Sequence, residues 1–145
     1  MMMRSILITA AAMCFLLAGP VEASMTFNDG GTHYVDYDVG RFSVGDNPDT
    51  GEPTTLYLLD GAQGATGYAD STVSGGSAII MSGGDFHEHV LYVRQESSFS
   101  MSGGTLGILW AYDHAELSIS GGSLTYVMGG SISNYAITGG YIEGL

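Results

Sequence analysis

The chain has 145 residues, 23 of them glycine, and sets 15 Asp and Glu against 3 Lys and Arg for a formal net charge of −12. So few cations leave almost nothing from which to build a phosphate-binding surface, so nucleic acid and anionic membrane surfaces are poor partners and no nucleic acid is expected. A charged fraction of 12% beside 45% hydrophobic residues also excludes charge-driven disorder, so the chain is expected to fold, and its length suits one domain.

The chain opens with Arg4 and an apolar run from Ile6 to Ala18, too short to span a bilayer comfortably, which Gly19 and Pro20 end. Val21-Glu22-Ala23 then places small or apolar residues where a signal peptidase reads, so residues 1–23 are expected to be a signal peptide and Ser24 the first mature residue. The single Cys, Cys14, leaves with that leader. Its neighbours Met13 and Phe15-Leu16-Leu17 do not suit a lipid-modified cysteine, and the mature chain is expected to have no disulfide or thiol chemistry. No second apolar stretch approaches transmembrane length, so the product is expected to be secreted, with no membrane span after signal removal.

In His33-Tyr34-Val35-Asp36-Tyr37-Asp38-Val39 a period of two puts Val35, Tyr37 and Val39 on one face and Asp36 and Asp38 on the other, as in a single half-buried strand. Phe42 and Val44 continue inward. Asp46 to Pro53 is a turn-rich excursion. Residues 24–53 are therefore expected to be an amino-terminal coil and cap, and 54–145, opening with a strand from Thr55 to Leu59, the repeats of the same domain.

Internal repeats decide the fold class. Ser-Gly-Gly or Thr-Gly-Gly recurs at Gly75-Gly76, Gly83-Gly84, Gly103-Gly104, Gly121-Gly122 and Gly139-Gly140. The steps from Gly83 to Gly103, Gly121 and Gly139 are nearly equal, the first slightly longer than the two that follow. The pairs Gly75-Gly76 and Gly129-Gly130 fall near half a step from a principal pair, as half-repeat corners would. The segments Asp70 to Ser74, Ser97 to Ser102, Ala115 to Ser120 and Asn134 to Thr138 align before Gly pairs and alternate apolar with small polar residues. Phe99/Met101, Leu117/Ile119 and Tyr135/Ile137 are expected at equivalent inward positions. A second strand type follows at Val90 to Val93, Ile108 to Tyr112 and Leu124 to Val127, rich in aromatic and β-branched residues.

A repeat of roughly 18–20 residues is too small to bury its own apolar face, whereas stacked repeats cover one another. The expected fold is all-β, a single-stranded, right-handed parallel β-helix (β-solenoid), with glycine at corners where the chain turns through positive φ. Roughly five turns at ~4.8 Å each make a rod of ~25 Å.

Phe27-Asn28-Asp29-Gly30-Gly31-Thr32-His33, Pro53-Thr54-Thr55-Leu56-Tyr57-Leu58-Leu59-Asp60-Gly61-Ala62 and the run from Ser102-Gly103-Gly104 to Ser120-Gly121-Gly122 resemble the repeats of secreted bacterial glycine-rich β-helix proteins, many of which end in a PEP-CTERM sorting segment. They are similar also to autotransporter passengers and adhesin-like β-helices. The resemblance covers most of the mature chain and implies a parallel β-helix at the surface of, or outside, a bacterium. The chain runs to Tyr141-Ile142-Glu143-Gly144-Leu145 without the sorting helix and basic tail of such proteins.

Among chemistry-bearing residues, Asp85-Phe86-His87-Glu88-His89 is the sharpest pattern. On a regular strand Asp85, His87 and His89 share a face, a carboxylate and two imidazoles able to hold Zn²⁺ or Fe²⁺; a solvent-facing polar row is the simpler reading. For calcium, Asp46-Asn47-Pro48-Asp49-Thr50-Gly51-Glu52 offers three carboxylates, but Pro48 and Thr50 stand where an EF-type loop wants oxygen ligands, so a solvated acidic loop is expected and no cofactor is assigned.

Tyr92, Trp110, Tyr112 and Tyr126 form a candidate glycan platform, with an aromatic ladder coating the solenoid as the plainer alternative. A lyase for acidic sugars lacks cations beyond Arg41 and Arg94, and for a hydrolase the carboxylate pairs to inspect are Asp36/Asp38 and Asp113/Glu116. The expected function is thus a secreted structural or adhesive repeat protein without catalytic activity, partnered by a glycan or cell-surface component or by its own solenoid ends. The alternative is a carbohydrate-binding or carbohydrate-degrading β-helix.

Overall fold

The computed structural model describes residues 24–130 and 134–144, and the expected signal peptide lies outside them. The strands in chain order are β1 (Ser24–Phe27), β2 (Thr32–Val35), β3 (Asp38–Val44), β4 (Thr55–Leu58), β5 (Gln63–Gly64), β6 (Ala69–Val73), β7 (Ala78–Met81), β8 (Asp85–Val93), β9 (Ser98–Met101), β10 (Thr105–Ala111), β11 (Glu116–Ile119), β12 (Ser123–Gly129), β13 (Asn134–Ile137) and β14 (Tyr141–Gly144). No helix occurs among the described residues.

The strands alternate between two parallel sheets. The first runs β1-β3-β5-β8-β10-β12-β14, with β6 lying beside β5 between β3 and β8; the second runs β2-β4-β7-β9-β11-β13. The chain is a β-solenoid in which each coil gives one strand, or the split pair β5 and β6, to each wall. Among the described residues it has seven levels along the first sheet, more than the five expected, because residues 24–58 already coil within the same two sheets. The coils differ in length. Register partners step from Ser98 to Glu116 to Asn134 in the shortest, from Ala78 to Ser98 in a slightly longer one, and from Thr32 to Thr55 to Ala78 in the longest.

Alternation within each short strand decides what lies inside. In the second sheet, Leu56, Ile79, Phe99 and Leu117 form one buried row and Val35, Leu58, Met81, Met101 and Ile119 another. In the first, Val44, Val73, Val93 and Ala111 stack, as do Leu91, Leu109 and Val127. Tyr135 and Ile137 pair in register with Leu117 and Ile119, as the repeat alignment expects. They nevertheless stay 45% and 41% exposed, because among the described residues β13 has a neighbouring strand, β11, on one side only.

The Ser-Gly-Gly corner needs both glycines, for different reasons. A Cβ on Gly103, Gly121 or Gly139 would lie 2.3 to 2.4 Å from the carbonyl oxygen of Ser82, Ser102 or Ser120 in the coil beneath. The second glycine turns the chain through positive φ, +83° at Gly104, +85° at Gly122 and +89° at Gly140. The other corner uses a pair of left-handed residues: Gly75 and Gly76 first, then Gln95 (φ 57°) with Glu96 (60°), then Asp113 (55°) with His114 (66°). These corners bond to one another, Gly76 N–H to Gln95 O at 3.1 Å and Glu96 N–H to Asp113 O at 3.1 Å.

Beside that corner runs a ladder of fully buried small residues, Thr54, Ser77, Ser97 and Ala115. Gly30 N–H donates to Thr54 Oγ1 at 3.0 Å, and Thr54 N–H donates to Ser77 Oγ at 3.0 Å. The Thr54 and Ser77 hydroxyls thus satisfy backbone donors of the preceding coil, whereas the buried Ser97 hydroxyl makes no hydrogen bond.

Two sequence expectations need correction. His33 to Val39 is not one strand: β2 ends at Val35, the chain turns at Asp36 and Tyr37, and β3 begins in the other sheet. Val35 and Val39 are buried as expected, but Tyr37 sits on the corner and is 47% exposed. The segment Asp70 to Ser74 is not equivalent to Ser97 to Ser102. Asp70 to Val73 pairs with Val90 to Val93 in the first sheet, and the true equivalent of Ser98–Met101 is Ala78–Met81. The two Gly-containing corners look alike in sequence but face opposite walls.

Replacing Ser77 with Ala leaves the buried Thr54 N–H without its acceptor. The expected loss is about 1–3 kcal/mol in urea denaturation, against less than about 0.5 kcal/mol for the outward-facing Ser100→Ala.

Candidate functional site

The regular stack of the first sheet is broken most extensively between β8 and β10, with a smaller shift where Asp38 pairs with Gln63 and Gly40 with Gly64. Phe86 pairs with Leu106 and Val90 with Ile108, so the stretch His87 to His89 of β8 faces the single residue Gly107 of β10. On the other side of β8, Gln63 pairs with Asp85 and Ala69 with His89, so the segment from Gly64 to Tyr68 arches over Phe86 to Glu88. Gly107 makes the bulge fit: a Cβ there would lie 2.4 Å from His87 O and 2.7 Å from His89 O.

The bulge separates the three residues expected to share a metal-binding face. Asp85 and His87 are on the outside, with His87 Nδ1 2.8 Å from Asp85 Oδ1. His89 is turned inward and only 1% exposed. Its ring lies near-parallel to Phe42, centroids 6.3 Å apart, and edge-on to Phe86 at 5.3 Å, with Nδ1 3.3 Å from Ser71 Oγ. Gly64 sits against the same ring, where a Cβ would come within 2.1 Å of Nε2. The expected set Asp85, His87 and His89 therefore does not converge, because the strand reverses face between His87 and His89.

Glu88, outside that expected set, joins the outer group. Its Oε2 accepts the Gly67 N–H, and its Oε1 lies 3.8 Å from His87 Nε2. Asp85, His87, Glu88, Gln63 and Thr66 line a hollow of about 140 Å³ between the arch and the strand. The hydrogen bond to Asp85, reinforced by its negative charge, raises the His87 pKa above the usual 6.5. The sequence signal for this site is the step from Gly83 to Gly103, longer than the steps to Gly121 and Gly139: the surplus is the bulge.

The same strand continues into a second feature. Tyr92, Trp110 and Met128 form one outward row across β8, β10 and β12, and Val90, Ile108 and Tyr126 the adjacent row. Tyr92 and Trp110 are offset-stacked with centroids 5.9 Å apart and planes 21° from parallel. Trp110 is 41% exposed, Tyr126 43% and Met128 39%.

Burial raises the Tyr92 phenol pKa, with smaller contributions from Asp70 and Tyr112. Tyr112 stands just past β10, its N–H donating to Val93 O at 3.1 Å. All four expected glycan residues thus lie on one wall, but only Tyr92 and Trp110 stack in register. Val90, Ile108 and Met128 belong to the strip as well, and the constant step from Val90 to Ile108 to Tyr126, and from Trp110 to Met128, carries that information.

The acidic loop closes on itself. Asn47 Oδ1 accepts from Asp49 N at 2.9 Å and Thr50 N at 3.3 Å, while Asn47 Nδ2 donates to Asp29 O at 2.9 Å. Of the carboxylate pairs considered for hydrolysis, Asp38 accepts Gly40 N–H at 2.9 Å, Asp113 occupies a left-handed corner, and Glu116 opens β11. Among the described residues, no three His, Cys, Asp or Glu side chains converge on a point able to hold a metal ion, and no helix is long and apolar enough to cross a membrane. Searches of protein families, curated proteins and solved structures find no match to the chain.

Two outcomes follow from the bulge. Gly107→Ala forces one of the two carbonyls away and is expected to cost about 1–3 kcal/mol in denaturant melts, while Gly45→Ala, whose Cβ meets nothing closer than 3.9 Å, stays within about 0.5 kcal/mol. By NMR titration His87 is expected to ionise above 6.5, and Asp85→Asn to return it toward that value. The attraction is complete below the unfolded pKa and is lost as pH rises through the raised folded one.

Proposed function

We propose that the chain is an extracellular structural or adhesive rod, of the kind found in secreted bacterial glycine-rich β-helix proteins, whose contact surface is the aromatic strip on the first sheet. One observation carries this reading: six large apolar side chains, Val90, Tyr92, Ile108, Trp110, Tyr126 and Met128, occupy two adjacent outward rows on three consecutive strands. On the second sheet the outward row that begins with a Tyr34–Tyr57 stack and Ile80 gives way to Ser100 and Ser118, and its neighbour at β9 and β11 holds Ser98 and Glu116, so no second block of three strands is apolar in both rows. A contiguous apolar patch rimmed by polar residues on a water-exposed wall is the mark of a contact surface. Aromatic side chains supply most of the binding energy of such surfaces. The amino-terminal leader read from the sequence supports export.

A carbohydrate-binding role is the second reading, and the Tyr92–Trp110 stack with Asp70 beside Tyr92 favours it. Rings bind the C–H faces of sugars, and a neighbouring carboxylate accepts from their hydroxyls. Neutral glycans suit a chain of net charge −12 better than acidic ones.

The test is retention of purified protein on bacterial cell surfaces and on a panel of insoluble polysaccharides. Saturable retention is expected, weakened about tenfold or more by Trp110→Ala and by Tyr126→Ala, with circular dichroism and thermal melts of both variants checking that the solenoid is retained. Retention unchanged in both variants overturns the assignment of the strip, and release of sugar from any polysaccharide overturns the non-catalytic reading.

A further inference from the structure

The outer side of the β8 bulge has the construction of a metal-binding histidine. Asp85 Oδ1 lies 2.8 Å from His87 Nδ1, and a carboxylate can only accept, so Nδ1 carries the hydrogen and the neutral imidazole presents its lone pair at Nε2. Backing one ring nitrogen with a carboxylate while the other faces a ligand is how proteins orient metal-bound histidines.

On the Nε2 side stands Glu88 Oε1 at 3.8 Å. That is too long for a hydrogen bond. It is close to the roughly 3.4 Å that separates two ligand atoms held tetrahedrally at about 2.0–2.1 Å from one ion. Glu88 is not swinging freely, because its other oxygen holds the Gly67 N–H of the arch. Asp85, His87 and Glu88 all line the same hollow.

We propose that His87 Nε2 and Glu88 Oε1 form a two-residue site for a borderline divalent cation of the Zn²⁺ type, with Asp85 as the positioning residue and water completing the coordination. The donor set of one imidazole and one carboxylate, backed by a second carboxylate, suits such an ion better than Mg²⁺ or Ca²⁺, which prefer oxygen throughout. Two negative carboxylates beside a neutral imidazole balance the ion's charge, and the chain's net charge of −12 concentrates cations around it. His89 takes no part, since it packs in the core against Phe42 and Phe86. The arch from Gly64 to Tyr68 gives the site its second wall, which the bulge alone would lack.

The experiment is calorimetric titration of the chelator-stripped protein with Zn²⁺ at pH 7.5, with histidine ring resonances followed by NMR. Saturable binding at one zinc per chain is expected, with the His87 ring signals shifted and those of His89 unmoved. His87→Ala is expected to abolish it. The isosteric Glu88→Gln, which retains an oxygen acceptor for Gly67, is expected to weaken it about tenfold, and Asp85→Asn by about ten- to a hundred-fold. Absence of saturable binding overturns the proposal. So does binding that survives both His87→Ala and Glu88→Gln, which would locate the ion at His33 or His114 instead.

Discussion

The whole molecule depends on how closely one corner can lie on another. Parallel strands in successive coils sit about 4.8 Å apart, and that spacing holds around the coil only if the corners approach as closely as the strands do. At Gly103, Gly121 and Gly139 the carbonyl of the coil below occupies the space a Cβ would need. The glycine content, the repeat period and the parallel register are therefore one requirement expressed three ways. The buried hydroxyls of Thr54 and Ser77 serve the other corner in the same spirit, bonding a neighbouring coil's backbone where no strand continues the ladder.

Regularity of this kind leaves little room for chemistry, since equivalent positions repeat equivalent surroundings. Both candidate features gather around β8, the strand that departs most from the pattern. Its first half carries the bulge, with Asp85, His87 and Glu88 outside and His89 inside; its second half begins the aromatic strip with Val90 and Tyr92. The surplus in this coil therefore does more than lengthen it. It reverses the facing of the strand, so that a histidine enters the core beside Phe42 and Phe86 and another is left outside with two carboxylates.

Much of this architecture is legible in the sequence, because the Ser-Gly-Gly and Thr-Gly-Gly runs mark corners and the corners fix the rows, although the pair Gly129-Gly130, expected at a half-repeat corner, instead closes β12 beside Ala111. Phe99 with Leu117 and Tyr135, and Met101 with Ile119 and Ile137, pair as the alignment requires. Asp70 to Val73 is harder to place, since corners facing opposite walls can both be built from Gly-Gly and local spacing does not distinguish them. The second type is also built from Gln95-Glu96 and Asp113-His114, whose side chains give no hint of a left-handed backbone. The facing of His89 is illegible for a related reason: simple alternation predicts it outward, and only pairing with Gly107 across the bulge turns it in. The aromatic strip lies between these cases, visible by residue type but complete only when the period is applied to Met128 as well.

The unequal coils have a consequence for how such a chain changes length. The step from Thr32 to Thr55 is longer than that from Ser98 to Glu116, yet both pairs stand in register in the same sheet. In the longer coil much of the extra chain is the Asp46 to Pro53 excursion, which Asn47 ties off locally. A corner of this form separates loop length from sheet geometry, so segments can be added or lost there without a strand slipping. The solenoid is thus a scaffold on which new surface loops can arise by insertion while the rows beneath keep their order.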